Sequence, residues 1–197
     1  MSYLLAFIFT YRGVLLPLGL IPAAVLAWDS LGLVQYSVGI LLVVLGVVFR
    51  LSGVRRIGGR ARVHSAGTRD LLTSGIYGHV RNPLYVGNIL YAGGLVALFF
   101  SLPSAGLAIA YLLGLYTLIA LHEEKALESL LGPPYRQYLS DVPRWFFRLR
   151  PYKDPAAVDS VVPFKEIFLR ERFFLINGMI ICGIATLIFS RVLHFSG

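Results

Sequence analysis

The sequence predicts an all-α integral membrane protein, and three observations predict it. First, 57% of the 197 residues are hydrophobic and only 14% are charged, against about 25% charged residues in an ordinary soluble domain. With a mean hydropathy of +0.73, a soluble globule of this size would have nowhere to hide its apolar surface, because a domain of this length buries only about 70% of its chain surface. Second, the apolar residues are clustered rather than scattered, and five stretches approach the roughly 20 residues that a helix needs to cross a bilayer. Third, 17 of the 18 basic residues fall on one side of the membrane once those five spans are drawn, as the positive-inside rule requires.

The first span runs from about Leu4 to Trp28 and carries Arg12, Pro17 and Pro22. The second runs from about Val34 to Val54, with Arg50 near its end. The third covers about Leu84 to Phe100 and the fourth about Ser104 to Leu121. Leu102-Pro103-Ser104 between them is uncharged and too short for anything but a tight helical hairpin. Pro103 is read as the stop of one helix and Ser104 as the cap of the next. The fifth span runs from about Phe173 to Leu193. Ahead of it, Pro163–Arg172 reads as a short amphipathic re-entry helix with Phe164, Ile167 and Phe168 on its apolar side. The chain divides into three parts: residues 1–54 with two spans, 55–150 with the hairpin and its flanking polar segments, and 151–197 with the re-entry segment and the last span.

The charge distribution sets an orientation. Arg12 lies near the start of the first span, seven arginines run from Arg50 to Arg81, nine basic residues run from Lys125 to Arg172, and Arg191 stands alone at the other end of the last span. This predicts a cytoplasmic N-terminus and an external C-terminus. The net charge of +8 is then a topology signal and not a nucleic-acid signal. One cysteine, Cys182, excludes an internal disulfide, and His64, His79, His122 and His194 have no metal-ligand spacing. No metal site is expected. Nothing at the N-terminus has the pattern of a cleaved signal peptide, and nothing specifies an oligomeric state. Gly87, Gly93, Gly94, Gly106 and Gly114 are expected to let helices pack closely.

Polar residues concentrate in two places. One is Thr73–Gly87, which contains Gly75, Tyr77, His79, Arg81, Asn82, Pro83 and Tyr85. Pro83 suits the first turn of a helix and Asn82 its cap. The other starts at His122-Glu123-Glu124, on a helix that continues from the fourth span to Leu131. It goes on through Tyr135, Tyr138 and Val142-Pro143-Arg144-Trp145. Ionisable residues at a span end are costly without a partner or a task. The hairpin should bring Arg81, Asn82 and Tyr85 to face Glu123 and Glu124. Each residue also has a plainer reading. Arg81 suits an interfacial anchor, Trp145-Phe146-Phe147 an aromatic belt, and the two glutamates ion-pair partners for Arg81 and Arg136.

The order G-I-Y-x-x-x-R-N-P-x-Y-x-G, H-E-E-x-x-L, L-G-x-x-Y-x-x-Y, V-P-R-W, over Leu71–Phe147, resembles the isoprenylcysteine carboxyl methyltransferase family, which is related to the membrane phospholipid N-methyltransferases. Many eukaryotic members read R-H-P where this chain has Asn82, so no imidazole stands there. In this it resembles bacterial-type members, which implies a bacterial inner membrane. The resemblance implies a cytoplasmic pocket for S-adenosylmethionine lined by Gly75, Tyr77, His79, Arg81, Asn82, Pro83, Tyr85, Glu123 and Glu124. It also implies Arg144, Glu124 and Tyr138 as catalytic residues, the residues 55–150 as the methyltransferase core, and a lipid or prenylated acceptor, with O-methylation of a carboxylate favoured. Three alternatives stay open: phospholipid N-methylation, an NADPH-dependent enzyme like the membrane sterol reductases, and a non-enzymatic lipid-binding module.

Overall fold

A computed structural model of the chain describes residues 32–57, 71–153 and 161–195, with side chains described as far as residue 190. The expected first span lies outside the described residues. Five α-helices are described: α1 (Leu33–Ile57), α2 (Pro83–Phe99), α3 (Leu102–Leu131), α4 (Pro133–Asp141) and α5 (Phe164–Phe195), with a 3-10 turn at Gly75–Gly78. No strand occurs among the described residues. The protein is an all-α membrane protein. The helices α1, α3 and α5 up to Ser190 are long and apolar enough to cross a bilayer. The 17 residues of α2 rise only about 25 Å, slightly less than the hydrocarbon thickness of about 30 Å.

The chain forms two compact units. Of the described residues, one takes 32–47, 87–119 and 172–195; the other takes 48–57, 71–86, 120–153 and 161–171. Each of α1, α2, α3 and α5 contributes to both.

In the first unit the helices meet backbone to backbone. A Cβ added at Gly46 would stand 2.5 Å from the Tyr91 nitrogen and 2.7 Å from the Gly87 oxygen, and one at Gly94 would stand 2.7 Å from both the Gly39 oxygen and the Val43 nitrogen. These glycines let α1 and α2 approach closely, as small residues do where lipid removes the hydrophobic drive between helices. Gly93 receives the Ile109 side chain from α3, and Gly178 of α5 lies under the Tyr91 ring. Gly106 and Gly114, expected to act likewise, have nothing within 4 Å of an added Cβ, because both face outward on α3. Neutral polar links also join these helices: Asn88 Nδ2 donates to Tyr116 Oη at 2.9 Å, and Tyr36 Oη meets Thr186 Oγ1 at 2.8 Å. Gln35 donates to the carbonyls of Ala97 and Phe100 at the end of α2, where helix carbonyls lack intrahelical partners.

The hairpin turn is tighter than the sequence reading. α2 ends at Phe99 and α3 starts at Leu102, so Ser101, not Ser104, is the cap. Ser101 Oγ accepts from the Ser104 backbone N–H at 3.3 Å, which satisfies one of the orphan donors of the first turn. Pro103 therefore sits inside that turn, where a missing N–H costs nothing. The re-entry helix also differs: Phe164–Phe195 is one unbroken helix of 32 residues. No breaker stands between Arg172 and Phe173, so the amphipathic stretch simply continues into the span. In it Ile167 is buried while Phe164 and Phe168 are exposed.

In the second unit a small core of Tyr135, Tyr138 and Val142 packs with Leu71, Leu127, Leu131 and Tyr152. Gly132, at φ +66°, ends α3 and lets the chain turn into Pro133 of α4. An L-residue with a side chain would be strained there.

Candidate active site

The site is built from the loop 71–82, the first turn of α2, the C-terminal third of α3 and the segment 142–148, all in the second unit. The 3-10 turn presents Gly75 at φ +60°, with Arg56 against its α-carbon. A side chain at that position would meet both backbone strain and the guanidinium. Tyr77 follows, buried, and its carbonyl accepts from Tyr138 Oη at 2.7 Å. Tyr138 therefore clamps the turn to α4. The Tyr138 ring also stands edge-on to Tyr152.

His79 lies against the segment 147–148. Its Nδ1 is 2.7 Å from the Arg148 carbonyl, its ring stacks on Phe147 at 4.5 Å, and its own carbonyl accepts from the Arg148 N–H. The Arg81 N–H donates to the Pro143 carbonyl at 3.0 Å. These bonds run the segment 143–152 beside residues 78–81. That pairing could not be read from side-chain motifs, because its acceptors are backbone carbonyls.

The charged centre follows from helix geometry. Adjacent residues on a helix point about 100° apart, so Glu123 and Glu124 face different neighbours. Glu123 accepts from Tyr85 Oη of α2 at 2.7 Å. Glu124, buried, accepts from Arg144 through Nε at 3.0 Å and Nη2 at 2.7 Å. Its Oε1 also stands 3.2 Å from Arg81 Nη1. One carboxylate thus holds two guanidinium groups, and Arg136 pairs with Glu128 instead. Burial pushes the Arg81 pKa below its ordinary value, with Glu124 opposing and Arg144 adding to the shift. The hydrogen bond that Arg144 donates to Glu124 pushes the Arg144 pKa up. This is the double fork geometry in which charge-assisted bonds are strongest.

Asn82 sits at the cap position of α2. Its carbonyl accepts from the Tyr85 and Val86 N–H groups, and Pro83 opens the helix, fully buried. Four polar side-chain atoms of this segment are buried with no hydrogen-bond partner among the described residues: Thr73 Oγ1, Ser74 Oγ, Arg81 Nε and Asn82 Nδ2. Unpaired buried donors cost about 1–3 kcal/mol each, so their collection on one ten-residue stretch marks a place built for a polar partner. Thr73 and Ser74 carry no motif, and only their position beside Gly75 signalled them. Among the described residues no group of His, Cys, Asp or Glu has the arrangement of a metal site.

The structure thus brings Arg81 and Arg144 onto Glu124 and Tyr85 onto the adjacent Glu123, sets Asn82 and Pro83 next to Arg81 in the chain, and joins Gly75, Tyr77, His79 and Tyr138 through the turn and its clamp. No curated protein and no solved structure matches the chain. A family model described as phospholipid methyltransferase matches residues 34–133, half of the chain, from the start of α1 to the start of α4. The match includes the R-N-P segment and both glutamates, and it stops short of Tyr138 and Arg144. With α1, α2 and α3 and the whole hairpin inside that match, the chain belongs to the phospholipid methyltransferase family and is an integral-membrane methyltransferase.

Proposed function

We propose that the chain transfers a methyl group from S-adenosylmethionine to a lipid or lipidated acceptor, at the centre formed by Arg81, Glu124 and Arg144. The observation that carries this reading is the set of unpartnered buried polar atoms on residues 73–82, a stretch whose Arg81 shares one buried carboxylate with Arg144. The donor set fits the cofactor. Arg81 Nε and Asn82 Nδ2 would hold its carboxylate, Glu123 and Glu124 its amino group, and Gly75, Tyr77, His79, Pro83 and Tyr85 would line the rest. When bound, S-adenosylmethionine supplies a methyl group on a positively charged sulfur, which needs alignment and exclusion of water more than covalent help.

The chain's own residues do the aligning. Glu124 fixes the plane of Arg144 by a bidentate pair, so this guanidinium keeps one orientation toward an incoming acid. Two guanidinium groups on one carboxylate leave a surplus positive charge, which suits an anionic acceptor. A carboxylate acceptor is itself the nucleophile and has no proton to lose, so no general base is needed. Tyr138 acts as a positioning residue through the Tyr77 carbonyl. On this reading the acceptor resembles an isoprenylcysteine carboxylate. The description of the matched family favours a second acceptor, the amine of a phospholipid. That acceptor must lose a proton, and Glu123 is the carboxylate nearest in role. The proposal includes 55–150 as the catalytic core, and a bacterial inner membrane with the N-terminus and the site cytoplasmic and the C-terminus outside.

Isothermal titration of the purified full-length protein with S-adenosylmethionine tests the cofactor. Binding is expected, weakened about tenfold or more in Arg81→Met, the cost of one charge-assisted contact. Absence of binding by a helical, monodisperse sample overturns the reading. Label transferred from methyl-labelled cofactor to a membrane extract then identifies the acceptor. Label released by alkali as methanol marks an ester, and alkali-stable label marks an N-methyl group.

A further inference from the structure

Outside that centre, the segment that follows Arg144 has surface properties the reaction does not use. Phe146 is 81% exposed and Leu149 89% exposed. Three cations follow closely: Arg148, Arg150 and Lys153 line a cleft of about 630 Å³ together with Asp141, Pro151 and Tyr152. The segment is not loose. The Arg148 and Tyr152 N–H groups donate to the carbonyls of His79 and Gly78, and Arg148 Nη1 donates to the Asp141 carbonyl at 2.7 Å. A backbone pinned at both ends thus holds two large apolar side chains away from the protein. A chain folding in water would turn such residues inward.

A further contact sets the level of this loop. The Phe147 ring, next to Phe146, meets Phe49 of α1 edge-on at 6.3 Å. Phe49 belongs to a helix able to span the bilayer and lies eight residues before its end at Ile57, about 12 Å along the axis. The loop is therefore level with the last turns of a spanning helix, whose own final turns carry Arg50, Arg55 and Arg56. Apolar side chains interleaved with cations at that level match the composition of an interfacial anchor, whose apolar residues enter the acyl boundary while its cations meet anionic headgroups.

We propose that residues 145–153 form a docking loop for an anionic membrane surface. Phe146 and Leu149 enter the bilayer interface, and the Arg148–Arg150–Lys153 cleft receives the phosphate of an acidic lipid headgroup. Charge complementarity commits the cleft to an anionic lipid. Docking is independent of methyl transfer and can be tested in protein without turnover.

The chain has two tryptophans, Trp28 and Trp145, so Trp28→Phe leaves Trp145 as a reporter within the loop. The full-length protein is reconstituted in phosphatidylcholine vesicles with and without phosphatidylglycerol, and Trp145 fluorescence is quenched by lipids brominated along the acyl chain. Quenching is expected in both, stronger with phosphatidylglycerol, and reduced by about half in Phe146→Ser/Leu149→Ser, where the two apolar anchors are gone. The increment from phosphatidylglycerol should vanish in Arg150→Gln/Lys153→Gln, whose side chains are exposed, and persist in the presence of inorganic phosphate. Trp145 open to aqueous acrylamide and untouched by brominated lipid overturns the docking. So does Trp145 shielded from both quenchers, which means a second copy or another protein covers the loop. Equal quenching with and without phosphatidylglycerol, or an increment abolished by inorganic phosphate, overturns the role of the cleft.

Discussion

The two units of the chain hold themselves together by opposite means. In the first, α1 and α2 touch through Gly39, Gly46, Gly87 and Gly94, and the side-chain hydrogen bonds of Asn88 with Tyr116 and of Tyr36 with Thr186 join neutral groups. In the second, the links are charged or polar: Arg144 and Arg81 on Glu124, Tyr85 on Glu123, Arg50 on Glu171 at 2.6 Å, Tyr138 on the Tyr77 carbonyl. The difference follows from the solvent each must satisfy. Apolar side chains gain nothing from one another when the alternative is lipid, so helices there gain by approaching until backbones touch. Outside the hydrocarbon, charge is tolerable where it is paired, and a shared carboxylate can fix two arginines. Substitutions should therefore fail for different reasons in the two units.

The largest effect is expected at Glu124. Its removal in Glu124→Ala leaves two guanidinium groups facing each other, with the Arg81 side chain only 12% exposed. Breaking a buried pair on one side costs about 3–5 kcal/mol, read from chemical unfolding in detergent or as a fall in melting temperature. Turnover should fall below detection along with it. Glu123→Ala, which removes the acceptor of the Tyr85 hydroxyl and leaves the two arginines paired on Glu124, should cost less, about 1 kcal/mol for that hydrogen bond. The Arg144–Glu124 contribution has a definite pH behaviour. Its pKa is raised in the fold, so that stabilisation is fully present below the ordinary guanidinium value and is lost only as pH rises through the raised one. The Glu124→Ala penalty from Arg144 should not change across the neutral range.

A smaller effect, of a different origin, is expected at Gly46. The Cβ of Gly46→Ala would come within 2.5 Å of the Tyr91 nitrogen and 2.7 Å of the Gly87 oxygen. Both are backbone atoms of α2 and cannot swing aside, so the helices must part. Overpacking of this kind costs about 1–3 kcal/mol, more than the roughly 1 kcal/mol that alanine gains over glycine in a helix. The same unfolding measurement checks it, and salt should leave the penalty unchanged because no charge is involved.

Much of this was legible in the sequence. Composition and clustering predict a helical membrane protein, and the short connection after Phe100 predicts that Arg81 and Tyr85 meet Glu123 and Glu124. Three things were not legible, each for a physical reason. Which glutamate takes the arginines depends on the rotation of α3, and motif spacing does not carry that angle. The cap lies at Ser101 and not Ser104 because the turn closes in two residues, and two serines three apart look alike as caps. His79 is held by the Arg148 carbonyl, and a backbone acceptor leaves no trace in residue type. The glycines are a fourth case: nothing in the local sequence separates Gly94, pressed on α1, from Gly106, which faces away.

That last distinction gives the smallest prediction, and the one that most directly tests the account of the first unit. Gly106 and Gly114 lie exposed on α3, with nothing within 4 Å of an added Cβ. Neither has a positive φ. If close approach is what the glycines of this unit supply, these two supply none, and they only weaken the helix they sit in. Gly106→Ala and Gly114→Ala should then each raise stability, by up to about 1 kcal/mol from helix propensity. The two are eight residues apart, about 12 Å along the axis, so the gains should add in the double variant. A loss like that of Gly46→Ala would mean that this face of α3, which also exposes Leu107 and Leu113, packs against something in the native membrane. The glycines would then belong to an interface, and the contrast with Gly46 would be one of partner and not of function.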